Sequence, residues 1–181
     1  ALECDAQDNM GGIVETITFG YHDEVATWPD LPAATETALD LEQAGALKGD
    51  VVMANGCKAY KFSITDNTGS FTIKLQGETG GESFLEELTI VSARIRKKLL
   101  GFMNAAKGRK LFFIVEDNNG VKYLMGDRRR GAILASDSDG ASTGTGATER
   151  NQTSLKFQYN APRALAYEGD CENILTAATG G

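Results

Sequence analysis

Residues 111–126 constrain the fold of this 181-residue chain more than any other segment. An apolar, β-branched run at 111–116 is followed by Asp117-Asn118-Asn119-Gly120 and by a second apolar run at 121–126. Two such runs joined by a short turn rich in Asn and Gly predict a β-hairpin. The hairpin opens a longer stretch, 111–166, in which a polar, glycine-rich loop leads to a further predicted strand at 153–160. The stretch therefore predicts an antiparallel sheet that carries one large loop.

Further strands are predicted before this hairpin from alternating apolar residues and β-branched content, at 13–20, 51–53, 58–65 and 70–77. The segment 83–92 fits a helix or a strand by periodicity, and its β-branched end favours a strand. Turn-forming residues lie at 66–69 and 78–81. We therefore expect two consecutive hairpins, formed by 58–65, 70–77 and 83–92.

One helix is predicted over 93–107. Its apolar residues recur at helical spacing and form a single stripe: Ile95, Leu99, Phe102, Met103 and Ala106. Ser92 is the expected N-cap and Gly108 the expected C′ residue. Arg94, Arg96, Lys97 and Lys98 fall largely outside the stripe, so the helix should cover a sheet and expose a basic rim.

This order of elements predicts an α+β fold that is mainly β: an antiparallel β-sandwich or barrel-like domain with one flanking α-helix at about 93–107. We expect a single domain over 1–181, with an N-terminal extension and loop extensions at 21–49 and 127–151. The 21–49 segment holds the only Trp and two of the three prolines. It is interpreted as a loop or arm with a short helix or strand around 36–44.

Membrane and metal chemistry are not expected. No run approaches the roughly 18 apolar residues that span a bilayer, and no signal peptide is visible, so no membrane anchoring is predicted. The three cysteines (Cys4, Cys57 and Cys171) and the lone His22 form no close pair of the kind that binds zinc. Free thiols and the absence of a metal site or cofactor are the expectation.

Catalytic motifs are also missing from the sequence, and we expect no catalytic or cofactor-binding residues and no enzyme. The chain has neither a Walker A motif nor G-x-S-x-G. The glycines of 140–146 lack the strand–loop–helix context of a phosphate site. Asp137-Ser138-Asp139-Gly140 resembles a calcium loop but has Thr148, not Glu, at the twelfth position. A solvated turn is favoured.

Charge is unevenly distributed along the chain. Residues 1–90 hold 4 Lys/Arg and 16 Asp/Glu, whereas residues 91–181 hold 14 and 9, within a net charge of −7. The fold can disperse these charges, or an acidic face of one copy can meet a basic face of the next. Arg128-Arg129-Arg130 and the basic helix could instead contact nucleic acid, but the sequence pI of about 4.8 and the lack of interleaved aromatic residues favour self-association. The predicted inter-subunit contacts are Arg128, Arg129, Arg130, Trp28 and Asp30.

Several residues of this region resemble those of phage tail tube proteins, especially from phages and prophages of Bacteroidetes. The resemblance covers about 83–170. It rests on the helix end at 104–108, the 111–120 strand and turn, Tyr123-Leu124-Met125-Gly126, Thr143-Gly144-Thr145-Gly146, Glu149-Arg150-Asn151 and the 154–159 strand. The family commonly has an Asn-Gly type sequence where this chain has Asn151-Gln152.

The resemblance implies a β-sandwich or barrel-like subunit, with one helix on its flank, that forms closed, commonly hexameric rings. The rings stack head to tail through loops and arms into a tube for DNA ejection, a heterologous interface that does not close. The implied partners are further copies, other tail proteins and genome DNA that passes without sequence recognition. The implied location is the virion tail, assembled in the host bacterial cytoplasm. Carboxylates would line the lumen, with alternate polar positions of 71–77 and 83–91 as candidates.

The sequence leaves two alternative functions open. A tail terminator or head–tail connector would use the same fold family. A monomeric β-sandwich that binds glycan or protein is the more distant alternative, in which Tyr21 and Trp28 would form an aromatic platform. For these two residues, anchoring of the core or a loop is the favoured interpretation.

Overall fold

The computed structural model describes residues 9–33, 40–65 and 68–178. In these residues the chain forms thirteen strands, two α-helices and short 3-10 turns that include His22–Glu24 and Asn173–Leu175. The elements are β1 (Thr16–Tyr21), β2 (Val25–Thr27), α1 (Leu41–Ala44), β3 (Ala46–Leu47), β4 (Val52–Met53), β5 (Tyr60–Ser63), β6 (Ser70–Gln76), β7 (Ser83–Ala93), α2 (Lys97–Gly108), β8 (Leu111–Glu116), β9 (Lys122–Met125), β10 (Ile133–Leu134), β11 (Gly140–Ser142), β12 (Gln152–Ala161) and β13 (Ala166–Tyr167).

The strands form two main sheets. The first has the order β3-β13-β9-β8-β1-β5, and the second has the order β10-β12-β7-β6 with β11 also paired to β12. A separate small sheet joins β2 and β4. Pairing is antiparallel throughout except between β13 and β3. The predicted fold class, mainly β with antiparallel sheets and little helix, is confirmed.

The larger core lies between the two sheets. Side chains such as Ile17 and Phe113 from the first sheet meet Leu88 and Phe157 from the second, and all four are fully buried. The ring centroids of Phe113 and Phe157 are 4.6 Å apart, within the range of favourable aromatic pairs. Phe102 of α2 packs against the same cluster, with its ring centroid 4.9 Å from that of Phe19. The predicted apolar stripe of the helix is thus the face that meets the sheets.

A second core covers the outer face of the first sheet. Phe112 and Ile114 point into it while Phe113 and Val115 point into the first core, so β8 is buried on both faces. This double burial explains its continuous apolar sequence. The cover includes Val25, Trp28 and Leu47, so these parts of 21–49 pack onto the sheet. The short helix expected around 36–44 is observed at Leu41–Ala44, and 34–39 lie outside the described residues.

The strongest strand predictions are confirmed. The 111–116 strand coincides with β8, and 70–77 and 153–160 correspond to β6 and β12 within a residue or two. The ambiguous 83–92 segment is a strand: β7 pairs with β12 from Phe84, opposite Ala161, to Ala93, opposite Gln152. Ten consecutive residue pairs in one register outweigh the helical periodicity of the same sequence.

The prediction of two consecutive hairpins is half wrong. β6 and β7 form a hairpin, but β5 pairs with β1 in the other sheet. The chain crosses between the sheets at two adjacent residues. The N–H of Ile64 donates to the carbonyl of Glu15 at 2.8 Å, and the N–H of Thr65 donates to that of Val91 at 3.0 Å. The predicted turn at 66–69, of which 66 and 67 lie outside the described residues, therefore stands between strands of different sheets, and the local sequence pattern does not distinguish this from a hairpin.

The predicted start of the long helix is also wrong. Ser92 belongs to β7, and α2 begins at Lys97 after the N-cap residue Arg96, whose side chain makes no capping hydrogen bond. The β7–β12 ladder extends to Ala93, and Arg94 then turns the chain with a φ of 69°. Gly108 is the last helical residue rather than the C′ residue. Neither helix in the described residues combines the length and apolar character needed to cross a membrane.

Candidate functional site

A cleft of about 770 Å³ is lined by residues of both main sheets and of the loops beside them. Its walls come from β7, β9 and β12, the segment that carries Trp28, and the turn from Gly126 to Arg130. Four arginines line it: Arg128, Arg129, Arg130 and Arg163. We refer to it as the arginine cleft.

All five residues predicted as inter-subunit contacts line the arginine cleft. Arg128, Arg129 and Arg130 come from the turn after β9, while Trp28 and Asp30 come from a segment about a hundred residues earlier. The fold thus brings together two segments that were predicted separately. Trp28 is only 7% exposed, and its ring lies 5.0 Å from that of His22 and 5.8 Å from that of Phe112. Its main role is therefore to anchor the loop to the second core.

Asp127 organises the arginine turn. Its Oδ1 accepts hydrogen bonds from the backbone N–H groups of Arg129 and Arg130 at 2.7 and 2.8 Å. Its Oδ2 accepts one from the Tyr159 hydroxyl at 2.7 Å, and its carbonyl accepts one from His22 Nε2 at 2.6 Å. An aspartate that binds backbone N–H groups two and three residues ahead holds a tight turn. Asp127 therefore fixes the backbone that carries the arginines.

Gly126, which precedes this aspartate, fits its place for a steric reason. Its φ is 144°, a conformation that L side chains rarely adopt, and a Cβ built there would lie 3.2 Å from the Trp28 ring and 3.1 Å from Phe112. A larger residue would push the arginine turn away from the second core.

Two guanidinium groups of the cleft are free to bind. Within the described residues, the side chains of Arg128 and Arg129 make no hydrogen bond or ion pair, and both residues are exposed. Arg163 donates to the carbonyl of Pro32 at 2.9 Å, and Arg130 makes a long contact of 3.4 Å to that of Asn160. The cleft therefore presents unpaired positive charge.

Glu86 lies in the wall of the same cleft. It occupies an inward-facing position of β7, opposite Tyr159 of β12 and Ile73 of β6, and is 2% exposed. Its Oε2 atom is buried without a hydrogen-bond partner. Burial raises the pKa of Glu86 to about 8, because the charged form loses its hydration. At neutral pH the carboxyl is therefore mostly protonated and adds little negative charge to the cleft.

The glycine-rich segment 140–146 binds a carboxylate of its own chain. β11 leads into it and a strand, β12, follows, so the helix of a phosphate site is missing from this position. The N–H and hydroxyl of Thr145 donate to Glu149 Oε2 at 2.5 and 2.9 Å. These bonds hold the pKa of Glu149 below its usual value. These donors of Thr145 are thus satisfied by Glu149.

The calcium-like sequence 137–140 forms a turn in front of β11. Asp137 pairs with Lys156 at 2.5 Å, which lowers the carboxyl pKa, and the Ser138 hydroxyl donates to the carbonyl of Ala135 at 2.7 Å. No cluster of three or more His, Cys, Asp or Glu that could hold a metal is found in the described part of the chain. Cys57 and Cys171 are free thiols packed beside the second core, and Cys4 lies outside the described residues.

The aromatic platform considered for a binding module does not form. Trp28 is buried, and the Tyr21 ring is covered by the guanidinium of Arg109, whose Cζ lies 3.6 Å from the ring centroid. Arg109 also pairs with Asp23 and Glu24, at 2.8 and 3.2 Å. The interpretation that these two aromatic residues anchor the core and a loop is therefore confirmed.

The strand positions proposed to line a lumen carry little net charge. Thr72, Lys74 and Gln76 of β6 share the outward face of the second sheet with Leu85 and Glu87 of β7. One lysine and one glutamate balance each other there. Glu78 and Glu82 lie in the turn between the two strands.

Comparison of the chain with protein-family models, with curated proteins and with solved structures finds no match. The arginine cleft and the edges of the two sheets are the features of the structure that bear on function.

Proposed function

We propose that this protein is a self-assembling structural subunit of the tail tube type, which forms stacked rings in the virion tail through which DNA is ejected. Support comes from the fold, the edge of the second sheet and the arginine cleft. The mainly β architecture with one long flanking helix is what the resemblance implies. A protein of this kind acts by binding copies of itself, other tail proteins and, transiently, DNA, after assembly in the host bacterial cytoplasm.

The observation that carries the proposal is the free edge of β6. This strand is seven residues long, ends the second sheet, and pairs only with β7 in the described residues. Native proteins usually shorten, cover or charge such edges, because unpaired N–H and C=O groups recruit other strands. Leu75, near the end of β6, is 64% exposed. A long edge with an exposed leucine is typical of a strand that meets a partner.

The tail terminator or head–tail connector remains the alternative within the same fold family. It uses rings but adds no further copies along an axis, so it predicts single rings where the tube predicts rods. Negative-stain images of the purified protein over a concentration series distinguish the two. Monomers alone at the highest concentration would contradict both and favour a binding module.

The role of the β6 edge is tested by Leu75→Lys. A lysine on an edge strand opposes further pairing, so we expect assembly to weaken at least tenfold in protein concentration while the monomer keeps its circular dichroism spectrum and melting temperature. Leu100→Lys is the matched control, because Leu100 is an exposed leucine, 41% exposed, that belongs to α2 and to no strand. Equal effects of the two variants would remove β6 from the interface.

A further inference from the structure

Two turns at opposite edges of the second sheet carry opposite charge. At one edge lies β6, and the turn that joins it to β7 carries Glu78 and Glu82. At the other edge lies β10, which directly follows the arginine turn 128–130. Strands in a sheet lie about 4.8 Å apart, so three spacings separate these edges by about 14 Å. A neighbouring copy placed beside the sheet can thus bring an acidic edge against a basic one.

The β6–β7 turn is built as a projecting tip. Gly77 and Gly80 have φ values of 103° and 91°, and the N–H of Gly81 donates to the carbonyl of Glu78 at 2.8 Å. Both glutamates are exposed, and neither is in an ion pair with a described residue. With Leu75 exposed beside them, the tip offers one apolar group and two carboxylates.

The arginine cleft has the positive charge and the apolar surface that complement this tip. Among the described residues, the guanidinium groups of Arg128 and Arg129 have no hydrogen-bond or ion-pair partner, and the walls of the cleft include apolar side chains such as Leu124 and Leu165. Glu86, buried and without a partner at Oε2, faces the same space and contributes little negative charge while protonated. An entering carboxylate therefore meets exposed guanidinium groups, and the buried Glu86 carboxyl adds little repulsion.

We propose that the arginine cleft receives the β6–β7 turn of a second copy of this chain, with Glu78 and Glu82 bound by Arg128 and Arg129 and Leu75 against the apolar wall. The inference rests on the proposed self-assembly and identifies the surfaces that would meet. Since the cleft and the tip are different surfaces, the contact is heterologous and can repeat around a ring.

A charge exchange tests this contact. Three variants are compared with the native sequence by sedimentation velocity: Glu78→Lys/Glu82→Lys, Arg128→Glu/Arg129→Glu, and the combination of all four changes. We expect each pair alone to weaken association at least tenfold, and the combination to restore it to within about threefold of the native value. Glu15→Lys/Glu168→Lys makes the same change in net charge as Glu78→Lys/Glu82→Lys at two other exposed sites, and it should leave association nearly unchanged.

The outcomes separate the two proposals. Association that neither pair weakens, or that the combination fails to restore, would overturn the pairing of tip and cleft while leaving self-assembly in place. A native protein that stays monomeric under all conditions would overturn self-assembly itself. Circular dichroism of each variant confirms that the fold is kept, and since all four residues are exposed, no loss of stability is expected.

Discussion

Tyr159 donates its hydroxyl hydrogen bond to Asp127 at 2.7 Å, although Glu86 lies directly opposite Tyr159 in the β7–β12 ladder. The bond ties the second sheet to the turn that carries the arginines. It also leaves Glu86 without its nearest hydroxyl partner. Burial and the nearby Asp127 carboxylate both raise the pKa of Tyr159, so the phenol stays protonated and keeps donating.

Removal of this hydroxyl should loosen the arginine turn. Tyr159→Phe keeps the ring in the core but removes the hydrogen bond that Asp127 accepts. A hydrogen bond to a charged acceptor contributes about 1.5–3 kcal/mol. We expect the free energy of unfolding in urea to fall by about 2 kcal/mol and amide exchange at 127–131 to accelerate. Tyr123→Phe removes a longer bond, 3.2 Å to Asp117, and should cost clearly less. Equal losses would argue against a special role for the Tyr159–Asp127 pair.

Stability should depend on pH through Glu86. The pKa of this carboxyl is about 8 in the folded protein against 4.5 as its ordinary value, so between these pH values the folded state binds a proton that the unfolded state has lost. The free energy of unfolding then decreases as pH rises through this window, by up to about 1.4 kcal/mol per pH unit from this group. Glu86→Gln should abolish this pH-dependent component. The stability of the variant relative to that of the native protein should therefore be greater at pH 8 than at pH 5.

The measurement is a series of urea titrations from pH 5 to pH 9. Glu87→Gln, at the adjacent outward-facing position, controls for the loss of one carboxyl. A difference between Glu86→Gln and the native protein that stays constant over the series would show that Glu86 does not titrate in this window.

Asn151 should set the start of the long helix. Its Oδ1 accepts a bond from the N–H of Ile95 at 2.9 Å, and its carbonyl accepts one from Arg94 at 2.8 Å, which together hold the positive φ of Arg94. Asn151→Ala removes the side-chain bond, so we expect a loss of about 1 kcal/mol in unfolding free energy and faster exchange of the first-turn amides of α2. Asn104→Ala, on the exposed face of α2, should be neutral or slightly stabilising and serves as control.

Assembly should weaken as salt is added. Exposed charges are screened within about 10 Å at 0.1 M ionic strength, so a contact that depends on the arginine turn loses affinity between 50 and 500 mM NaCl. Replacement of Arg128, Arg129 and Arg130 by Ala should abolish rods and leave the fold intact, because Asp127 binds only backbone groups of this turn. Rods that persist in the triple variant, seen by negative stain, would exclude the turn from the interface.

Local sequence patterns predicted the strands that have a clear apolar phase. β6, β8 and β12 follow directly from alternation or a continuous apolar run, and the turn at 117–120 is correctly placed between β8 and β9. The turn has a further role that no pattern indicated: the amide groups of Asn118 and Asn119 bind the backbone of Gly11 and Met10. Contacts between residues about a hundred positions apart leave no local signature.

The sequence indicated some of the residues that line the arginine cleft but not the cleft itself. Arg128, Arg129, Arg130, Trp28 and Asp30 were predicted as contacts, but Arg163 and Asp127 were not, although an aspartate that opens a tight turn is a recognisable signal. Glu86 also had a signal, since it takes the same phase as Phe84, Leu88 and Ile90 along β7 and was therefore bound to face inward. Pairing across sheets, as for β5 with β1, could not be predicted because a turn sequence does not specify which sheet its second strand joins.

The chain passes between the two main sheets four times: from β5 to β6, from β7 to β8, from β9 to β10 and from β12 to β13. The first sheet is thus completed only when β13 is added, and any continuous fragment that contains the whole second sheet, from β6 to β12, also includes β8 and β9 of the first. A chain truncated before β12 therefore leaves both main sheets incomplete. Contacts this distant in sequence slow folding and favour a single cooperative transition. In the self-assembly proposed above, this topology would supply either a complete subunit or none, so half-formed subunits would not be added to a growing polymer.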